Sequence, residues 1–147
     1  MTAPAPRLYV AEPGPLWAQR PPVVADCSVL AAVLFDEPAA DEALRHLAGR
    51  ALHAPSLILY ELANVARNKQ RGGLHGAEAR AALDDLAMQR IQLHEPPATS
   101  LFDLAAAFGL SAYDAAYLWL TAELKAPLAT FDRRLAEAAR AHLGALE

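Results

Sequence analysis

The sequence predicts an α/β fold with a central parallel sheet covered by helices on both faces. Short apolar runs alternate along the chain with longer segments that have helical periodicity. The strand candidates are short and mostly apolar, which is typical of strands buried between two layers of helices. With 147 residues, 54% of them hydrophobic and 20% charged, the chain is expected to form one compact domain.

The strand candidates follow one another at regular intervals, at 23–26, 51–54, 91–94 and 128–130. Helices are predicted at about 28–35, 37–47, 56–71, 76–89, 99–108, 111–124 and 133–141. Ser56 and Ser111 are expected to cap the helices that follow them. Gly72-Gly73 and Gly109 are expected to end helices, because glycine readily adopts the conformations that terminate them.

The first 22 residues are predicted to be a weakly ordered extension before a domain at 23–147, because they contain six of the 11 prolines. They lack the basic and apolar regions of a secretory signal. No apolar run is long enough to span a bilayer. Cys27 is the single cysteine, so no internal disulfide is possible, and a reducing, cytoplasmic location is expected.

The net charge of −4 argues against a generic nucleic-acid coat protein, which is usually basic. It leaves room for a nuclease with local positive charge. Arg67, Lys69 and Arg71 form one basic cluster, and Arg133 and Arg134 form a second. Solvated helix ends are an equally good interpretation of both clusters.

Four acidic residues lie in apolar or small-residue surroundings, and no basic residue interrupts the apolar runs around them. They are Asp26, Glu61, Asp114 and Asp132, in VVADCSVL, SLILYELANV, LSAYDAAYL and LATFDRRL. An ionised carboxylate among apolar side chains costs several kcal/mol unless it is paired. The pattern therefore favours a shared divalent cation.

The predicted elements place these acids where a site can form. Asp26 ends the first strand and Asp132 follows the last, so both carboxylates would enter one crevice if these strands are adjacent. Glu61 lies within an apolar helical stripe of Ile58, Leu62 and Val65. Asp114 lies within a second apolar stripe. Such departures from binary patterning tend to mark functional sites.

Local structural roles are the alternative interpretation of each acid. Asp26 and Asp132 precede helices and would cap them. Asp114 follows Ser111 by three residues, which resembles a capping box. Glu61 is expected to lie past the first turn of its helix, where a side chain cannot act as an N-terminal cap. Four independent coincidences are less probable than one shared site.

The donor type predicts the kind of cation. Two carboxylates about 5 Å apart repel by roughly 3 kcal/mol at an effective dielectric near 20, so a cluster of four requires raised pKa values or a cation. Oxygen ligands favour Mg²⁺ or Mn²⁺ over zinc. The five histidines show no ligand spacing, and no G-x-S-x-G, P-loop or G-x-G-x-x-G is present.

With these residues in place, the chain resembles the PIN-domain family, and within it the VapC-type toxin ribonucleases. The matching segments are VVADCSVLAAVLF, APSLILYELANVARN and GLSAYDAAYLWLTAELKAPLATFDRRLAEAA. The most specific part is Y-D-A-x-Y-L followed by P-L-x-T and D-x-x-L. The resemblance implies a single PIN-like α/β domain. Two departures are a long proline-rich start and cysteine at position 27, where threonine is more frequent.

The resemblance implies a Mg²⁺- or Mn²⁺-dependent endoribonuclease that hydrolyses RNA phosphodiesters. It assigns metal binding and catalysis to Asp26, Glu61, Asp114 and Asp132, and supporting roles to Ser28, Asn64 and Thr130. Phosphate contacts with RNA are a weaker expectation for Arg67, Lys69, Arg71 and Arg133. It also implies a homodimer neutralised by a small cognate antitoxin.

Two other functions fit parts of the pattern. The first is a catalytically decayed PIN-like module that acts by binding an antitoxin and regulating its operon, although all four acids are present. The second is a phosphatase with an aspartyl nucleophile. That enzyme would need a second acid at Ser28 and a lysine in the pocket, and the sequence offers neither.

Overall fold

A computed structural model describes residues 20–146, and residues 1–19, which hold most of the predicted extension, lie outside it with Glu147. The strands are β1 (Pro22–Ala25), β2 (Ala51–Pro55), β3 (Gln92–His94) and β4 (Leu128–Ala129). The helices are α1 (Cys27–Leu34), α2 (Ala40–Leu47), α3 (Ile58–Arg71), α4 (Gly76–Met88), α5 (Ala98–Phe108), α6 (Ala112–Leu124) and α7 (Arg133–Gly144). Within this part of the chain, no helix is at once long and apolar enough to cross a membrane.

The four strands form one parallel sheet in the order β3-β2-β1-β4. This confirms the predicted α/β class. The first and last strands are neighbours, because Val24 pairs with Leu128 and Ala25 with Ala129. The carboxyl ends of β1 and β4 therefore lie side by side, as the placement of the acids requires.

The strand order also explains how helices come to cover both faces. The chain moves outward from β1 to β2 to β3 and then returns across the sheet to β4. Since parallel crossovers are right-handed, this reversal moves the connecting helices to the opposite face. The helix contacts agree: α1 packs on α2, α3 and α4, whereas α6 packs on α5 and α7. Sheet order thus reverses between β1 and β4, the position at which such folds bind ligands.

The core lies between the sheet and these two helix layers. Its centre consists of fully buried aliphatic and aromatic side chains: Val24, Leu30, Ile58, Leu62, Tyr117, Leu120 and Leu135. They come from β1 and from helices of both layers, so the core holds the carboxyl end of β1 rigidly. Rigid packing beneath a site keeps its side chains in place.

Two helix starts differ from the prediction. Helix α3 begins at Ile58, and Ser56 is not its cap, because both its hydroxyl and its backbone N–H donate to the carbonyl of His94 on β3. Helix α2 begins at Ala40, three residues later than expected. The prediction for Ser111 is confirmed, since its hydroxyl accepts from the N–H of Asp114 at the start of α6.

Candidate active site

Asp26 is the first residue beyond β1 and is only 6% exposed. Its Oδ1 accepts hydrogen bonds from Ser28 Oγ at 2.6 Å and from the N–H of Val29 at 3.2 Å. Its Oδ2 accepts from Thr130 Oγ1 at 2.5 Å. The bond to Val29 caps α1, so the predicted local role of this acid exists. The two hydroxyl bonds fix the orientation of the carboxylate as well.

The hydroxyls of Ser28 and Thr130 also hold the segment that follows β4. Ser28 Oγ accepts from the N–H of Phe131 at 3.0 Å, and Thr130 Oγ1 accepts from the N–H of Asp132 at 2.9 Å. Each hydroxyl therefore donates to Asp26 and accepts from the β4–α7 connection. This arrangement ties the position of Asp132 to that of Asp26, across the neighbouring strands β1 and β4.

Asp132 is exposed and caps α7, with its Oδ1 accepting from the N–H of Leu135 at 3.1 Å. Asp114 is half-buried in the first turn of α6. Both residues thus have the local positions that the alternative interpretation gave them. Capping and a shared site are compatible, because a helix N-terminus aims its carboxylate toward the end of the sheet.

Glu61 is half-buried on α3 and accepts a hydrogen bond from the hydroxyl of Tyr117 on α6, at 2.5 Å. The bond joins helices from opposite faces of the sheet. The expectation that Glu61 lies past the first turn was wrong, because α3 begins at Ile58 and Glu61 is in its first turn. The positive end of the helix dipole therefore acts on this carboxylate too.

The pKa shifts show that the four acids lie near one another. Burial raises the pKa of Asp26, hydrogen bonds oppose that rise, and Asp132 adds to it. Burial also raises the pKa of Glu61, against the Tyr117 hydrogen bond, and Asp26 and Asp114 raise it further. For Asp114, burial comes first among the causes of a raised pKa, followed by Asp132, with a smaller contribution from Asp26. The pKa values of Asp26, Glu61 and Asp114 are thus each raised by the charge of at least one other acid of the set.

The chemistry of the donors fits a hard divalent ion, since all are carboxylate oxygens that repel one another. Their present spacing is looser than a coordination shell. Among residues 20–146, no three Asp, Glu, His or Cys side chains are close enough together to form a ready metal site. Ion binding by three of these acids would therefore require side-chain movement toward the ion.

The comparisons with known proteins identify the family and agree with the fold. The sequence pattern that defines the PIN domain matches residues 23–141, a span that runs from β1 into α7 and contains all four acids. The chain belongs to the PIN-domain family.

The relatives of this PIN domain include proteins named as ribonucleases. Ribonuclease VapC3 of Pyrobaculum aerophilum is 32% identical over 121 residues, which cover 78% of this chain and 92% of that protein. Ribonuclease VapC9 of Mycobacterium tuberculosis is 33% identical over 122 residues, with 81% and 92% covered. The crystal structure of PAE2754 from Pyrobaculum aerophilum matches with a TM-score of 0.67 and 26% identity, covering 88% of this chain and 97% of that one.

The predicted supporting residue Asn64 is exposed on α3 of the PIN domain, one turn after Glu61. The two side chains line the same cavity of about 540 Å³, together with Leu57, Tyr60 and Tyr113. The structure therefore places Asn64 beside Glu61, in a cavity whose lining does not include Asp26.

Three of the four predicted RNA-binding residues of the PIN domain, Arg67, Lys69 and Arg133, have partners within the protein. Lys69 forms an ion pair with Glu37 at 2.8 Å, and its ammonium lies 5.2 Å from the centre of the Phe35 ring. Arg67 donates to Gln70, and Arg133 pairs with Glu137 one turn later. The two arginines are exposed, where such contacts are weak. They remain available to phosphate at little cost.

Tyr117 is the site residue that the sequence interpretation missed. Its place in the apolar helical stripe with Leu110 and Leu118 predicted only a core position, and its ring is 1% exposed. The signal that identifies it is its spacing of three residues from Asp114 on α6, which places both on one helix face. Arg134 was also undervalued, since it donates to the carbonyl of Gly109 and lowers the pKa of Asp114.

Cys27 lies beside the acids and does not act as a nucleophile. Burial, followed by the charges of Glu61, Asp26 and Glu37, raises the pKa of its thiol to about 12. A thiol with that pKa stays protonated at neutral pH, and only the thiolate is strongly nucleophilic. The cysteine therefore acts as a small apolar side chain.

Proposed function

We propose that this PIN domain is a Mg²⁺- or Mn²⁺-dependent endoribonuclease, the toxin of a VapBC-type toxin–antitoxin pair. The observation that carries the proposal is the convergence of four mutually repelling carboxylates where the sheet order reverses, between β1 and β4. The names of its VapC ribonuclease relatives support the reaction class.

In this proposal Asp26, Asp114 and Asp132 hold the ion, and Glu61 completes the ligand set or orients the attacking water. A bound divalent ion would supply Lewis acidity toward the phosphate oxygens and lower the pKa of water. Ser28 and Thr130 keep the Asp26 carboxylate in one orientation through their hydrogen bonds. Tyr117 does the same for Glu61.

The reaction is hydrolysis by in-line displacement at phosphorus. The water oxygen forms a bond to phosphorus as the bond to the 3′-oxygen breaks. The products are a 5′-phosphate and a 3′-hydroxyl, with the water proton passing to solvent or to a carboxylate and the 3′-oxygen gaining one. Arg67, Lys69, Arg71 and Arg133 are proposed to contact RNA phosphates, and Lys69 would first have to leave Glu37.

The test is cleavage of a mixed RNA pool by the purified protein, with Mg²⁺ or Mn²⁺ and with EDTA, alongside Asp114→Asn. We expect cleavage only with the metal, and its loss in the variant by at least about 100-fold. Asp103→Asn is the matched control, because Asp103 is an exposed acid on α5 outside the site. Cleavage that survives Asp114→Asn would place the activity elsewhere.

The alternative is a catalytically decayed module that acts through its antitoxin. The looser spacing of the acids is the observation that favours it, since no ready metal site exists in residues 20–146. A folded protein that cleaves no RNA with either metal would support this alternative. We also propose an antitoxin arginine that enters the acidic site, since guanidinium pairs well with carboxylates, and a homodimer that light scattering would detect.

A further inference from the structure

Two tyrosines beside the acids are far more exposed than aromatic side chains usually are. Tyr60 is 76% exposed and Tyr113 is 67% exposed. Each immediately precedes one of the site acids, Glu61 and Asp114. They extend from α3 and α6, the helices that the Tyr117–Glu61 hydrogen bond joins. The two exposed rings therefore lie next to the acids that are proposed to bind the metal.

Both tyrosines line the cavity that also contains Leu57, Glu61 and Asn64. The residues offer two aromatic rings, an apolar contact, and an amide with both donor and acceptor capacity. None of these lining residues is basic. A phosphate would find no positive partner there, whereas the flat face of a base would find rings on which to stack.

We propose that Tyr60, Tyr113 and Asn64 bind one unpaired nucleobase of the RNA, adjacent to the phosphodiester that is cleaved. The inference rests on the proposed function and adds the residues that bind one base of its RNA substrate. Specific RNA recognition depends on bases that are unstacked, placed on aromatic rings and hydrogen-bonded at their edges. The Asn64 amide supplies the edge contact.

The arrangement places base and phosphate in separate parts of the site. The cavity shares Glu61 with the carboxylate set, so a base on the tyrosines puts its own backbone phosphate near the acids. A base within a duplex is stacked and paired, and cannot enter such a cavity without being flipped out. The structure thus favours cleavage at unpaired nucleotides.

The test measures binding of a fluorescent single-stranded RNA in the Asp114→Asn background, which is expected not to cleave. We expect Tyr60→Ala and Tyr113→Ala each to weaken binding about 5- to 150-fold, the range for loss of one stacked base. Tyr60→Phe and Tyr113→Phe keep the rings and should bind within about threefold of the parent. Phe102→Ala is the matched control, because Phe102 is a 73% exposed aromatic residue on α5 outside the cavity.

A second experiment identifies which nucleotide of the RNA supplies the bound base. RNA carrying one abasic nucleotide at successive positions should lose kcat/KM at one position with the wild-type protein. With the double variant Tyr60→Ala/Tyr113→Ala, the same abasic substitution should have little further effect, because both stacking partners are already absent. An abasic penalty that persists unchanged in the variant would overturn the inference.

The outcomes separate this inference from the proposed function. Cleavage that is unaffected by both alanine substitutions overturns the base site and leaves the nuclease standing. Tyrosine-dependent binding of single-stranded RNA without cleavage supports the base site and overturns the nuclease. If the alanine variants instead change the mass of the protein in light scattering and bind RNA normally, the tyrosines form a contact between protein copies, and the inference is wrong.

Discussion

At the scale of single residues, Asp26 combines a structural and a chemical position. Its carboxylate caps α1 while it accepts hydrogen bonds from Ser28 and Thr130. Burial nevertheless outweighs these bonds, because the pKa of the group is raised overall. An ionised Asp26 is therefore less favourable in the folded protein than in the unfolded chain. Removing the charge should not harm the fold.

Asp26→Asn tests this balance directly. We expect it to abolish metal-dependent RNA cleavage while the free energy of unfolding without metal stays equal or rises, because repulsion from Asp132 is relieved and asparagine is also a good N-cap. Urea denaturation with EDTA, beside the cleavage assay, measures both quantities. An unfolded variant would mean that the structural role of Asp26 is primary.

Tyr117 is a positioning residue for Glu61, and Tyr117→Phe isolates its hydroxyl. The hydrogen bond lowers the pKa of Glu61, so the variant should raise that pKa and leave less Glu61 ionised at a given pH. We expect the acidic limb of the pH–rate profile to move to higher pH. Loss of a hydrogen bond to a carboxylate should also cost about 1.5 kcal/mol of stability.

The pH profile distinguishes positioning from simple packing. If Tyr117→Phe acted only by disturbing the packing, the rate would fall at every pH and the acidic limb of the profile would not move. Rates measured at temperatures well below the unfolding transition remove the contribution of stability. An unchanged profile would exclude an effect of Tyr117 on Glu61 ionisation.

At the scale of elements, a histidine pair joins β2 to the edge strand β3. His53 Nδ1 lies 2.9 Å from His94 Nε2, and the rings stack with their centres 5.2 Å apart. One of these two nitrogens must carry a proton and the other must not. Burial, followed by the charge of His94, lowers the pKa of His53, whose side chain is largely buried.

This shift predicts a pH dependence of stability. Because the folded pKa of His53 lies below its ordinary value of 6.5, the unfolded chain binds a proton first as the pH falls. The stabilisation is complete above 6.5 and is lost as the pH falls through the folded value. His53→Gln should remove up to about 1.4 kcal/mol per pH unit of slope in this range.

Urea denaturation of the wild type and His53→Gln at several pH values from 5 to 8 (about one unit apart) measures the difference in slope. His75→Gln is the control, since His75 is an exposed histidine before α4. Equal slopes for the wild type and His53→Gln would show that His53 does not titrate differently in the folded state.

At the scale of the whole molecule, the fold gathers acids from both halves of the chain. Asp26 and Glu61 belong to the half with α1 and α3, whereas Asp114 and Asp132 belong to the half with α6 and α7. A divalent ion bound among them would link the two helix layers. Without the ion, the same carboxylates repel one another across the end of the sheet.

Mn²⁺ should therefore raise the melting temperature of the wild-type protein. Binding to the folded state alone stabilises it by about 2.7 kcal/mol when the free ion is at 100 times its Kd. Asp26→Asn should lose most of this gain, and Asp103→Asn should keep it. Calorimetry at constant ionic strength measures the shift, and NaCl in place of Mn²⁺ controls for screening. An equal response in all three proteins would exclude an ion shared by the acids.

Amino-acid order alone predicts which residues build the strands and helices and which acids stand out among them. Strand and helix identities follow from apolar periodicity and from caps such as Ser111, which act over three or four residues. The α/β class followed from that pattern. The rules of parallel sheets brought Asp26 and Asp132 together only if β1 and β4 were neighbours, which the structure shows. Local signals were less reliable at Ser56, where strand pairing with His94 replaced the expected cap.

Contacts between side chains that are far apart in the sequence are known from the folded structure alone. The bond between Tyr117 and Glu61 spans 56 positions, and that between Thr130 and Asp26 spans 104. Lys69 and Glu37 likewise pair from separate parts of the chain, and Tyr60 and Tyr113 line one cavity from two different helices. Periodicity records which face of an element is buried but not what lies against it. The partners are set by the return of the chain from β3 across the sheet to β4.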